Sequence, residues 1–265
     1  MKLMHVIYRA IFARVIFYKF NKLLYSLSLR GLGILNYESD KISGEEHFID
    51  VQLKKLVDGV VFDVGANIGR YSEMILKNNK NIRVFAFEPH PKTYSKLVNN
   101  TLETGIVTLN SGVGAQKGFL TLYDYADEDG SSHASVYKDV IEKIHKGQAI
   151  AHTVSIISLD DFVIQNSIEK VNLLKIDTEG HELEVLKGFQ QFIGNNNVDL
   201  IHFEFNEMNI ISKVSFKDFW DLLPNYDFFR MLPDGLVPIK NYSPLFCEIY
   251  AYQNIVAKLK AEFRK

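Results

Sequence analysis

From residue 58 to residue 205, apolar and polar positions trade places in a regular way. The short, nearly uninterrupted apolar runs "GVVFDVG", "IRVFAFEP", "VNLLKID" and "VDLIHFEF" are separated by longer segments. In "RYSEMILKN", "PKTYSKLVNNTLE" and "GHELEVLKGFQQFI" the apolar residues recur every three or four positions. A continuous apolar run fits a strand covered on both faces, and a 3.6-residue period fits an amphipathic helix. "IVTLNSGVG" supplies a strand between the second and fourth of the series, and "GFLTLYDYA" an additional strand beyond it. A polar loop, "DEDGSSHAS", then leads to a helical stretch from about Val136 to Lys146. "HTVSIISLDDFVIQ" reads as a strand and a helix start, where Ser158 to Asp161 fits a capping box. Near the carboxyl end, "YDFFRMLPDGLVPI" and "PLFCEIYAYQNIV" have no helix between them and predict an antiparallel hairpin at one sheet edge. The pattern predicts an α/β fold, a mostly parallel sheet with helices on both faces.

The first 50 residues break this rhythm. Up to Arg30 the chain carries Lys2, Arg9, Arg14, Lys19, Lys22 and Arg30 and no acid, interleaved with aromatic and aliphatic residues at rough helical spacing. The cations interrupt each apolar run well short of the ~20 residues of a membrane span. They also argue against a signal peptide. Residues 1–50 therefore read as a basic amphipathic helical extension and 51–265 as one folded domain. The extension suits packing on the core, self-association, or peripheral contact with an anionic membrane. Composition changes the picture little: the net charge of −2 leaves no basic surplus for bulk nucleic-acid binding. The single cysteine, Cys247, excludes an intramolecular disulfide and fits a reducing, cytoplasmic setting, membrane-peripheral if the extension docks there.

The chemistry starts at Asp63-Val64-Gly65-Ala66-Asn67-Ile68-Gly69. Ligands of open α/β sheets bind beyond the carboxyl ends of strands, beside the first one. A dinucleotide turn needs a middle glycine to approach a pyrophosphate, and Asn67 stands there instead. There is no P-loop lysine, and Asp63 would repel a phosphate. A ligand with an ammonium group, a sulfonium and no phosphate fits better, namely S-adenosylmethionine. Glu88 ends the second strand 25 residues after Asp63, where a carboxylate can accept both hydroxyls of a ribose.

With "FDVGANIGRYS", "AFEPHPKTYSKL", "LLKIDTEGHELEVLKG" and "FEFNEMN" in that order, the chain resembles the FkbM-type methyltransferases over roughly residues 58 to 253. The resemblance implies a Rossmann-like class I methyltransferase with a seven-stranded sheet whose last strand is antiparallel. It also implies O-methylation of a hydroxyl on a saccharide, a glycolipid precursor or a secondary metabolite. Carried over, Asp63, Gly65, Asn67, Gly69 and Glu88 hold the cofactor, and Ser111 or Gly112 lies near the adenine.

For the transfer itself, Asp177 and Glu179 at the end of the fourth strand are candidates to orient or deprotonate the acceptor, although Glu179 also suits a helix cap. Glu204 and Asn206 share a strand face and are candidates to line an acceptor pocket, or to form a structural hydrogen-bonded pair. His133, in the polar loop, is a candidate general base, with substrate binding and a surface position as rival readings. Tyr125, Tyr137, Phe205 and Trp220 are candidates to stack on a sugar face. Asp177, Glu179, Glu204 and Asn206 are hard donors acceptable to magnesium or calcium, but they lack tight ligand spacing, so a divalent cation is not favoured and no metal ligand is assigned. His145 and His152 support no role from sequence. The competing readings are a non-catalytic scaffold on the same fold, an amine or nucleic-acid methyltransferase, and a nicotinamide dehydrogenase. The last is disfavoured by the missing glycine.

Overall fold

The structure is a computed structural model and describes residues 2–264, so Met1 and Lys265 lie outside it. Helices α1 (Lys2–Phe12) and α2 (Tyr18–Gly31) come first, followed by α3 (Asp40–Ser43) and α4 (Glu45–Leu53). Then β1 (Val60–Val64), α5 (Arg70–Asn78), β2 (Arg83–Phe87), α6 (Pro91–Thr101) and β3 (Val107–Leu109) alternate as the periodicity requires. β4 (Gly112–Val113), β5 (Gly118–Tyr125) and β6 (Ala149–Ile157) form a separate three-stranded sheet in the order β4-β6-β5. The main sheet resumes with α7 (Leu159–Gln165), β7 (Val171–Ile176), α8 (Glu182–Lys187), a short helix over Gln190–Gly194, and β8 (Val198–Phe205). Short helices at Met208–Ser212 and Phe216–Leu222 precede β9 (Tyr226–Leu232) and β10 (Gly235–Ile239), and Pro244–Cys247 precedes β11 (Gln253–Leu259).

The main sheet has eight strands in the order β10-β9-β11-β8-β7-β1-β2-β3, not seven. Within this sheet the run β3-β2-β1-β7-β8 is parallel throughout, as expected. The end of the sheet departs from the expectation of an edge hairpin formed by the last two runs. The hairpin is β9–β10, closed within the first run at its "PDG" turn. β11 instead inserts between β8 and β9, antiparallel to both. Its interior Ile255, Val256 and Ala257 are fully buried, as an inner strand needs. "IVTLNSGVG" is likewise two strands in two sheets, and the helix expected over 136–146 shrinks to a π-helical turn at Val140–Ile144. Ser158 accepts from the Asp161 amide, which is half of the capping box.

Side-chain alternation along the strands divides the core. Val60, Phe62, Val64, Leu174 and Ile176 pack with Phe162, Val185 and Phe189 on one face. Val61, Val84, Leu173, Leu200 and Val256 pack with Phe48, Ile49 and Leu53 of α4 and Tyr71 and Ile75 of α5 on the other. The packed body therefore reaches back to Leu29 and Ile34, which are also buried. Residues 2–28 bury no side chain fully; Leu3 and Ile7 of α1, Val15 and Ile16 of the turn that follows it, and Leu23 of α2 are exposed, and no described helix is long and apolar enough to cross a membrane.

Candidate active site

β1 leads into a turn whose Gly65, Asn67 and Gly69 all hold positive φ, +75°, +51° and +94°. At Gly65 a Cβ would stand 1.7 Å from the Asp177 carbonyl oxygen, so the approach of the β7 end admits only glycine. Gly69 has a different reason: its Cβ would press on Leu97 of α6 at 2.9 Å, and the residue lines neither of the two cavities described below. The Asn67 and His90 amides donate to the two oxygens of Glu88, at 2.9 and 2.8 Å. Burial pushes the Glu88 carboxyl up to about 7, against the pull of those amides.

Beyond the strand ends lies a cavity of about 690 Å³, open mouth included. Gly65, Asn67, Glu88, Asp177 and Glu179 give it an acidic side, and Gly112, Val113, Leu122, Val136, Val154 and Ile156 an apolar one. No lysine or arginine among the described residues lines it. The loop after β5 walls it with Ser131, Ser132 and Ala134. That loop is pinned by Asp124, fully buried, whose carboxylate accepts from the amides of Gly130 and Ser131 and from the Ser131 hydroxyl.

A second cavity, about 770 Å³ with its mouth, adjoins the first. Gly65, Asn67, Ser132 and Asp177 line both. Asp177 thus stands on a shared wall. The second cavity adds the charged residues Asp40, Glu45, Arg70, Lys175 and Glu204, beside Ala66, Ile68, Tyr71 and Met74. Lys175 is buried at the end of β7, 3.2 Å from Asp177 and 3.6 Å from Asp63. Burial opposes its charge, but Asp177, Asp63 and Glu45 outweigh burial and hold the ammonium above its usual range. Burial pushes Glu45 up to about 7 and raises Glu204 well above the carboxylate range, Asp177 and Glu179 adding to the effect on Glu204.

Glu179 reaches its cavity from a strained position, φ +53°. The turn is held by Glu182, whose carboxylate accepts from the Thr178 and Gly180 amides and the Thr178 hydroxyl. His133 contacts Glu179 through Nδ1 at 3.0 Å but lines neither cavity, and its ring is about half exposed. Hydrogen bonding to Glu179 raises the His133 pKa, and the exposed ring outside both cavities does not place it as the general base.

Several sequence expectations change here. Asp63 is not on the cofactor wall: alternation along β1 turns it toward α5, where it is fully buried and accepts from the Ser72 hydroxyl at 2.6 Å. Ser111 lies off the wall while its neighbour Gly112 is on it. Asn206 is a structural residue, donating to Glu204 and accepting from the Met208 amide; only Glu204 of that pair faces a cavity. Phe205 is fully buried in the core, Trp220 stacks on Phe228, and neither Tyr125 nor Tyr137 lines either cavity. Sequence reasoning missed Lys175, Glu45 and His181, the last of which also lines the first cavity. A lysine inside the apolar run "VNLLKID" was a legible signal; Glu45 carried none.

Comparison with known proteins gives a match to the methyltransferase FkbM domain over residues 63–229. The hexuronic acid methyltransferase AglP of Haloferax volcanii is 30% identical over 163 residues, covering 60% of this chain and 62% of that protein. Methyltransferase sdnD of Sordaria araneosa is 29% identical, covering 49% and 60%. The 31-O-demethyl-FK506 methyltransferase FkbM of Streptomyces tacrolimicus is also 29% identical, covering 49% and 59%. The chain thus spans about 60% of the length of these relatives.

Proposed function

The chain belongs to the FkbM methyltransferase family, and on that premise we propose that it transfers a methyl group from S-adenosylmethionine to a hydroxyl of a saccharide-like acceptor. The supporting observation is the wall shared by two cavities, with Asp177 on both sides of it. The first cavity is the one whose lining supports a cofactor site. Its apolar side suits an adenine, Glu88 suits the ribose hydroxyls, and Glu179 suits a cation. A wall with three carboxylates and no lysine or arginine disfavours the phosphates of a dinucleotide. When bound, the cofactor supplies a methyl group already activated by its sulfonium.

The protein's own part is alignment and proton removal. Gly65 and Asn67 let the backbone approach the ligand, and Glu88 fixes its orientation. Asp177, held from behind by Lys175, orients the acceptor hydroxyl and takes its proton. His133 acts through Glu179, keeping that carboxylate aimed into the cavity. The second cavity supplies donors at Arg70 and Lys175 and acceptors at Asp40, Glu45 and Glu204, with Tyr71 and Met74 as apolar surface, a mixed set that suits the hydroxyls and C–H faces of a sugar. The hexuronic acid named for AglP makes saccharides the first class to try.

The test is calorimetric titration with S-adenosylmethionine, then methyl transfer from labelled cofactor to a panel of mono- and oligosaccharides. Cofactor binding by the parent and by Asp177→Asn, with labelling of a saccharide by the parent alone, is the expected result. Binding of a nicotinamide dinucleotide in place of S-adenosylmethionine would overturn the reading. Labelling confined to amines or nucleic acid would move the acceptor class.

A further inference from the structure

The sequence scatters its histidines, and among the described residues the fold gathers four of them into two clusters with carboxylates. His90, His152 and Asp129 meet below the loop after β5, and His133, His145 and Glu179 meet beside the first cavity. The two differ in how well they are already satisfied.

The first cluster is closed. His90 Nδ1 accepts from the Thr93 amide as the cap of α6, which leaves the proton on Nε2, facing Asp129 at 2.9 Å. His152 Nε2 lies 2.8 Å from the same oxygen, and the Lys92 ammonium sits 2.5 Å from the other. A cation is in place already, and the capping tautomer points a proton where a metal would need a lone pair.

The second cluster is open. His145 Nε2 is buried and has no hydrogen-bond partner, and the same holds for Glu179 Oε2. Glu179, 11% exposed, is held at positive φ to face this point. His145 is delivered by the π-helical turn, its amide bonding back to Val140, a geometry that recurs at functional sites. The His133 and His145 rings are 5.0 Å apart, and one donor atom from each of the three residues lies within 4.8 Å of the others. Two buried polar atoms without partners, reached through a strained residue and an unusual turn, are costly unless something satisfies them.

We infer that His133, His145 and Glu179 form a binding site for a divalent first-row transition ion of the zinc class. Two imidazoles and one carboxylate are the donors of an open zinc site, with a further position for an oxygen ligand, whereas magnesium and calcium take oxygen-rich shells. Binding takes neutral imidazoles and an ionised carboxylate, so any proton held by these side chains is released to solvent. Through Glu179 the ion faces the first cavity. The binding site stands without the methyl-transfer reading. Its use, lowering the pKa of a hydroxyl that enters the open position, rests on that reading.

The test uses the full chain, stripped of metal with a chelator and titrated with cobalt(II) by visible absorption and with zinc by calorimetry. One ion per chain, ligand-field absorption and proton release are expected. His145→Ala and Glu179→Gln should each weaken binding about a hundredfold, since even outer partners of ligands are worth 10- to 100-fold. His152→Ala, in the closed cluster, should bind as the parent does. Should His145→Ala not fold, His145→Phe keeps a planar ring without a donor atom and gives the same answer. No cobalt spectrum with no zinc heat, binding of magnesium alone, or loss in His152→Ala with retention in His145→Ala would each overturn the assignment. Titration with S-adenosylmethionine on the same metal-free protein separates failure of this site from failure of the cofactor site.

Discussion

Glu88 offers the sharpest test of the cofactor site, because its charge state links two measurable quantities. Its carboxyl is buried and pushed from its ordinary 4.5 to about 7. If the ionised form is the one that accepts the ribose hydroxyls, the competent fraction is about 90% at pH 8 and about 10% at pH 6, from a pKa of 7. Cofactor affinity should then fall roughly tenfold between those pH values. Glu88→Gln removes a charge-assisted contact of about 1.5–3 kcal/mol, which is roughly 10- to 150-fold in affinity, and makes the remaining binding insensitive to pH over this window. Stability carries the opposite sign. A carboxyl whose folded pKa exceeds its unfolded value contributes stability below about 4.5 and loses it as pH rises through about 7. The full change is about 3 kcal/mol for a shift of this size. Glutamine has no such loss, but it can satisfy only one of the two amides of Asn67 and His90 as an acceptor. The variant should therefore be the less stable at pH 5 and gain on the parent as pH rises to 8. Calorimetric titration with S-adenosylmethionine and thermal melts at pH 5, 6, 7 and 8 measure both curves. Parent affinity that is flat from pH 6 to 8, together with undiminished binding by Glu88→Gln, would refute the assignment of Glu88 to the ribose.

Three further outcomes are expected. Gly65→Ala places a methyl group 1.7 Å from the Asp177 carbonyl in a backbone at φ +75°, so it should cost several kcal/mol and yield little folded protein, read by solubility and thermal melting. Lys175→Met leaves the buried Asp63 without its cation and should destabilise by about 3–5 kcal/mol at pH 8; the loss should shrink at pH 5, where Glu45, pushed to about 7, is neutral, and equal losses at both pH values would contradict the charge argument. Asp177→Asn should lower turnover by about 10²–10⁴-fold while leaving cofactor affinity within a few-fold, as single-turnover kinetics beside calorimetry would show; unchanged turnover would remove Asp177 from the proton step.

How much of this was readable beforehand depends on the range of the interaction. The strands that alternate with helices from β1 to β8 follow from local periodicity, and so do the positions of Gly65, Asn67 and Glu88 at strand ends. What periodicity cannot supply is which side chains from distant segments meet. His145 and His133 are twelve residues apart in a stretch expected to be loop and helix, and only the π-helical turn brings their rings together. Glu45 belongs to α4, a helix with no motif to tie it to residues 63–69, yet it faces Lys175 across the second cavity. Asp63 shows the converse. Its place in the motif was legible, but the alternation that turns it toward Ser72 becomes decisive only once α5 is packed there. Asn206 was open between two readings because a strand face can be lined or hydrogen-bonded with the same sequence, and the Met208 turn settles it.

The position of β11 bears on how the polypeptide reaches this structure as it is made. A ribosome delivers β8 and then β9 before the strand that must lie between them. Until residues 253–259 arrive, β8 presents an unpaired apolar edge, and the β9–β10 hairpin has no place to dock. The nascent chain can settle the β3-β2-β1-β7-β8 portion early, but its closure is a late, long-range event between segments about 50 residues apart. Such a chain spends part of its biogenesis with a sticky flank, the condition under which holding chaperones are most useful. The same order of events makes damage to β11 a failure of assembly rather than the trimming of a tail.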